Sequence, residues 1–162
     1  MLRLWCFFLF EKVREKLSFK KHKEEKNIAV FVDGPNILRR ELRVDLAEVK
    51  KIIQKFGKIK IGRVFLNQYA SDKLVEAVVN QGFESIITVG DIDVSMAADA
   101  VEAIYNPHIQ SIAFVTRDSD FLPAIIKAKR NGKETIVIVA EEASAVALKN
   151  NADHVVIMQK GA

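Results

Sequence analysis

A chain of 162 residues that is 49% hydrophobic can bury one sizeable core, and it is too short for two full domains. Its single cysteine, Cys6, excludes an intramolecular disulfide, argues against a cysteine-based zinc site and makes a reducing cytoplasmic compartment the expected one. The net charge of +4 suggests a nucleic-acid binder until it is divided. Residues 1 to 27 hold eight Lys and Arg against four Glu, and the remainder holds 17 of each sign, so the body is judged by where its charges fall.

The stretch Met1 to Phe10 is strongly apolar but falls short of the roughly 20 residues needed to span a bilayer. Its basic region follows the apolar one, which is the wrong order for a secretory signal. Residues 1 to 21 fit a helix lying in the membrane interface, with Trp5 and the phenylalanines buried and Lys12, Arg14, Lys16, Lys20 and Lys21 facing anionic lipid. Weak peripheral membrane association is the expectation, with packing on the domain or on a partner as the alternative. Residues 1–27 are thus read as a tail and 28–162 as a single domain.

From Asn27 onward strand-like and helix-like patterns alternate. Ile28 to Val32 is an apolar run, and Leu46, Val49, Ile52, Ile53 and Phe56 recur at helical spacing. A second strand covers Ile59 to Leu66, and a helix follows from an N-cap at Ser71 to Gln81, stopped by Gly82. Phe83 to Val89 is the third strand, and Val94 to Tyr105 a helix closed by Asn106-Pro107. Ile112 to Val115 is the fourth strand, followed by a helix over residues 119–131, a strand from Thr135 to Ala140, a short helix from Ala143 to Asn150 and a last strand from His154 to Met158. Five or six such units with short connections predict an α/β fold, a three-layer α/β/α sandwich around a mostly parallel five- or six-stranded sheet.

Aspartates mark the ends of these strands and the start of one helix. Phe31-Val32-Asp33-Gly34-Pro35-Asn36 stops a strand at an acid, and Gly-Pro turns the chain so that Asn36 returns beside it. Gly90-Asp91-Ile92-Asp93 follows the third strand and Asp118-Ser119-Asp120 the fourth. In a parallel sheet these ends share the carboxyl edge, where ligands of open α/β sheets bind. Asp99 lies inside the helical segment, and Ala97 and Ala98 let that helix approach the sheet closely enough for one turn to aim Asp99 at the same point. Each strand-end aspartate taken singly also suits helix capping or surface solvation, the commoner roles of Asp before Ser or Gly, whereas Asp99 sits mid-helix, where capping is unavailable.

Several carboxylates brought together repel one another unless a cation joins them. Hard Mg²⁺ or Mn²⁺ takes oxygen ligands alone, whereas His22, His108 and His154 are scattered and fit no zinc spacing. An all-oxygen site of this kind suits hydrolysis of phosphodiesters. Residues 39 to 63 carry nine Lys and Arg against three acids. Arg39, Arg40 and Arg43 follow Asn36 directly and are expected at the mouth of the site to neutralise nucleic-acid phosphates, while the lysines from Lys50 to Lys60 suit a solvated face equally well.

These motifs resemble the NYN domains of the PIN-like nuclease superfamily. The matching residues are Val-Phe-Val-Asp33-Gly-Pro-Asn36, Ile-Asp93-Val-Ser-Met-Ala-Ala-Asp99 and Thr-Arg-Asp118-Ser-Asp120-Phe-Leu-Pro123, and the similarity spans about residues 28 to 158. The resemblance implies a PIN-like fold and a Mg²⁺- or Mn²⁺-dependent ribonuclease centre in which Asp33, Asp99 and Asp118 bind metal, joined by Asp93 and Asp120. It implies that Asn36 orients Asp33 or contacts substrate, and that Thr116 and Ser119 support the centre through hydrogen bonds. Two positions depart from the family. Arg117 stands where a small residue is common, and there its guanidinium can either reach a substrate phosphate or project into solvent. Gly90-Asp91-Ile92 stands where Lys-Gly is common, which adds a negative charge.

Two other functions fit the same residues: an RNA-binding adaptor without catalysis, and a small-molecule phosphohydrolase. The second lacks a Gly-rich phosphate loop after the first strand. A homo-oligomer is compatible with a site on a sheet edge, which a neighbouring subunit often completes.

Overall fold

The computed structural model describes residues 25–38, 45–142 and 145–158. Among them six strands form one sheet: β1 (Asn27–Asp33), β2 (Lys58–Asn67), β3 (Glu84–Thr88), β4 (Ser111–Val115), β5 (Glu134–Val139) and β6 (His154–Ile157). Every neighbouring pair is parallel, and the order is β3-β2-β1-β4-β5-β6. The predicted parallel α/β architecture is therefore the observed one. The tail assigned to residues 1–27, including the membrane-facing residues 1 to 21, lies almost entirely outside the described residues. No described helix is long and apolar enough to cross a membrane.

Strand alternation divides the core in two. Ile28, Val30 and Val32 of β1 join Val64 and Leu66 of β2, and this face is covered by α2 (Leu46–Ile53) and α3 (Asp72–Asn80). Ala29 and Phe31 point the other way, against α4 (Ile92–Tyr105), α5 (Leu122–Arg130) and α6 (Val146–Asn151). All of β4 and nearly all of β1 are buried, which is why they read as unbroken apolar runs. The chain builds outward from β1 through β2 to β3, and then α4 carries it back across the sheet to β4 on the other side of β1. This reversal places the topological switch point between β1 and β4, the crevice where such sheets bind ligands.

Three of the differences from expectation lie next to aspartates; the last helix also starts later than expected, at Val146. The Gly-Pro turn after β1 closes into one helical turn, α1 (Gly34–Ile37), capped by Asp33. Helix α4 begins at Ile92, two residues early, because Asp91 Oδ1 accepts the Asp93 N–H at 2.9 Å and so caps it. The helix predicted from Ser119 starts as a 3₁₀ turn (Ser119–Phe121) capped by Asp118, and α5 follows it. Ser71 caps α3 as read from the sequence, accepting from Leu74 N–H at 3.3 Å. Gly82 ends it at φ 83°, a left-handed conformation that L side chains rarely adopt.

Candidate active site

Asp33 ends β1 on the face covered by α4 and is 1% exposed. Its carboxylate is held on three sides. Asn36 N–H donates to Oδ1 at 3.2 Å, Asn36 Nδ2 donates to Oδ2 at 2.7 Å, and Thr116 Oγ1 donates to Oδ2 at 3.0 Å. Gly34 makes the return of Asn36 possible, since a Cβ there would meet the Phe65 carbonyl oxygen at 2.4 Å. Thr116, fully buried just beyond β4, bridges two strands: its hydroxyl oxygen also accepts the Asp118 N–H at 3.1 Å. Asp118 Oδ1 in turn accepts the Asp120 N–H at 2.9 Å, leaving Asp118 half-buried and Asp120 exposed. Ser119 lies between them in the 3₁₀ turn.

The first turn of α4 brings Asp93 to this group. Its carboxyl is raised from 3.8 to about 6, first by burial and then by the charges of Asp33, Asp118, Asp91 and Asp120. Beneath the acids lies a row of aromatic rings. Phe31 meets Phe65 at 6.4 Å and Phe114 at 5.9 Å, and Phe114 stacks on Phe121 at 5.6 Å, all four buried. This apolar floor anchors the Asp118–Asp120 turn through Phe121, and it withholds solvent from the charges above it.

Asp99 is the expected site residue that the structure places elsewhere. Six residues down α4 from Asp93 is about 9 Å along a helix, more than one turn away. Its Oδ2 accepts from Arg63 Nη1 at 3.0 Å, and Arg63 also donates to Glu84 at 2.9 Å. Arg63 lies below the sheet edge, two residues before the Phe65 that pairs with Asp33. The Arg63–Asp99 pair therefore fastens the middle of α4 to β2, while Asp93 faces the cluster.

The basic segment divides in the same way. Arg39, Arg40 and Arg43 lie outside the described residues. Lys50 donates to the Gln81 carbonyl at 3.1 Å, and Lys58 and Lys60 open β2 at the amino edge, away from the acids. At the carboxyl edge Arg117 stands half-buried between Thr116 and Asp118, with no ion pair among the described residues.

The donor set suits a hard divalent cation. It consists of carboxylate oxygens with one amide beside them, and Asp93 at about 6 registers an uncompensated negative charge. Among the described residues no three acidic, His or Cys side chains are drawn together closely enough to hold an ion as they stand. Two of them are engaged otherwise: Asp33 accepts from Asn36 and Thr116, and Asp118 caps its turn.

The sequence model of the NYN domain matches residues 27–159. The chain belongs to the NYN domain family. That family lies in the PIN-like nuclease superfamily; its members are generally ribonucleases or other hydrolases, and such nucleases generally use divalent metals. An uncharacterised protein of Methanocaldococcus jannaschii is 56% identical over 148 residues, covering 91% of this chain and 61% of the relative. The chain thus spans less than two thirds of that protein's length. A solved structure, a protein of unknown function from Vibrio parahaemolyticus, superposes with a TM-score of 0.76 at 18% identity, covering 86% of this chain and 97% of its own, and shows the same fold.

Proposed function

We propose that this NYN domain is a divalent-metal-dependent ribonuclease that hydrolyses RNA phosphodiester bonds at the carboxyl edge of its sheet. The observation that carries the reading is the convergence of Asp33, Asp93, Asp118 and Asp120 from three separated segments on the β1/β4 switch point, with Asp93 lifted to about 6 by the others and by burial. Asp33, Asp93, Asp118 and Asp120 would hold Mg²⁺ or Mn²⁺, which would supply there the missing positive charge and the Lewis acidity that phosphodiester hydrolysis needs.

The chain's own residues then have distinct tasks. Asn36 and Thr116 fix the Asp33 carboxylate in one orientation, and Thr116 couples it to Asp118. Asp93 gives up its proton as the cluster is neutralised. Asp120 and Ser119 border the site on the solvent side. Arg117 takes a substrate phosphate, with Arg39, Arg40 and Arg43 as further backbone contacts. Asp99 acts through Arg63, which sets the position of α4 and hence of Asp93.

Incubating the purified chain with single-stranded and structured RNA, in Mg²⁺ or Mn²⁺ and with EDTA as control, tests this directly. Cleavage that needs the ion and fails in Asp118→Asn is the expected result. No cleavage, or equal cleavage by the variant, overturns it. One observation favours a second reading, an RNA-binding adaptor without catalysis: the acids are not drawn into an ion-holding group. That reading expects RNA affinity that survives Asp118→Asn, with no turnover.

A further inference from the structure

The three most exposed large apolar side chains among the described residues are Tyr69 at 83%, Val89 at 80% and Val94 at 66%. All three stand at the carboxyl edge. Asp33 pairs with Phe65, and two residues further along β2 Asn67 pairs with Thr88 of β3. Tyr69 follows in a turn where its N–H donates to Asn67 Oδ1 at 3.1 Å. Val89 follows Thr88, and Val94 follows Asp93 in the first turn of α4. Of the other exposed apolar residues, Ile87 lies on β3 two residues before Val89, the rest lie on other elements, and Tyr105 among them has Lys127 over its ring at 5.5 Å.

The two flanks of the acids therefore differ. On the β4 side stands Arg117, and on the β2 and β3 side stand an exposed aromatic ring and two valines. A strand of nucleic acid has the same division, with charged phosphates along one side and apolar base faces on the other. We propose that Tyr69, with Val89 and Val94, forms a nucleobase wall on which an unpaired base stacks while the adjoining phosphate lies over the acids. The identity of this ligand rests on the ribonuclease reading above. A protein partner fits less well, because Asp91 and Asp93 interleave with the valines, and the cores of protein interfaces are depleted of such charges. A base inside a duplex has both faces covered, so the wall selects RNA that is single-stranded at the site.

The test is binding by the full chain, followed by fluorescence anisotropy in Ca²⁺, a hard cation that offsets the charge of the acids, with gel analysis showing the RNA intact over the measurement. Three labelled RNAs of equal length are compared: an unpaired strand, the same strand with abasic positions, and a duplex. Base stacking is worth about 1–3 kcal/mol per base, so Tyr69→Ala is expected to weaken the unpaired strand about 5- to 150-fold. Tyr69→Phe should retain most of the affinity, and the abasic strand and duplex should bind both variants like the parent. The proposal is overturned if Tyr69→Ala binds the unpaired strand as the parent does, if all three ligands weaken equally, or if the variant changes only the oligomeric state by sedimentation. Tyr69-dependent binding without metal-dependent cleavage would refute the ribonuclease reading and leave the wall standing. Cleavage indifferent to Tyr69 would do the reverse.

Discussion

The two edges of the sheet treat carboxylates in opposite ways. At the amino edge, Glu134 accepts from Lys26 at 2.8 Å and from Ser111 at 3.0 Å, and it contacts His154 Nε2 at 2.9 Å. Burial alone would push Glu134 up, but the hydrogen bonds from Lys26, His154 and Ser111 outweigh it and hold the group at about 2. At the carboxyl edge burial acts on Asp93 in the same direction, the neighbouring acids add to it, and the group rises to about 6. The same chemical group thus stabilises the fold at one edge and opposes it at the other. Stability left unclaimed beside a crevice is a mark of a site that waits for a ligand.

The comparison breaks most sharply by removing a site acid. Asp118→Asn or Asp33→Asn should lower metal-dependent RNA cleavage by about 100-fold or more, a lower bound set by the 10- to 100-fold cost of mutating mere supports of a metal ligand. Glu134→Gln, by contrast, should leave cleavage unchanged, and an assay of all three variants separates the edges.

The next effect is on stability and has opposite sign at the two edges. The folded value of Asp93 lies above its ordinary 3.8, so the metal-free domain should lose stability as pH rises from about 4 to about 6. Mg²⁺ or Mn²⁺ should then raise the melting temperature more at pH 7.5 than at pH 5, where the proton competes with the ion. Asp93→Asn should raise the melting temperature of the metal-free domain by roughly 2–8 °C and abolish that stabilisation. Thermal scans across pH with and without the ion decide this, and an ion effect that is flat with pH counts against it.

Glu134 runs the other way. Its folded value lies below the ordinary 4.5, so its contribution is fully present above about 4.5 and disappears as pH falls toward 2. The side chain is 25% exposed, and solvent screening limits the effect. Glu134→Gln should cost about 1–2 kcal/mol in urea unfolding at pH 7, and less at pH 3. The smallest effect belongs to Asp99. Loss of its half-exposed pair with Arg63 should cost about 0.5–1 kcal/mol, with cleavage reduced only a few-fold. A loss as deep as that of Asp118→Asn would return Asp99 to the metal group and contradict the division drawn here.

Much of this was legible in the chain itself. Strand and helix alternation, the Ser71 cap and the aspartates after β1, β3 and β4 are local signals, set by apolar runs and by residues a few positions apart. Those same signals misjudged α4. The start at Ile92 depends on Asp91 serving as a cap, and moving the start places Asp93 in the first turn. The lysines from Lys50 to Lys60 follow Asp33 and Asn36 closely in sequence, yet the length of α2 carries them to the amino edge, away from the acids.

What the sequence by itself determined is a parallel α/β domain with acids at its strand ends, because hydrophobic period and turn chemistry act over a few residues. What only the tertiary structure decided is which of those acids meet. Strand order puts β1 beside β4, so the buried Thr116 hydroxyl can reach Asp33 across 83 residues of sequence and join it to Asp118. Register puts Arg63 beneath that edge, where it takes Asp99 out of the group. Partners so distant along the chain are chosen by how the strands pack, and no local pattern specifies that.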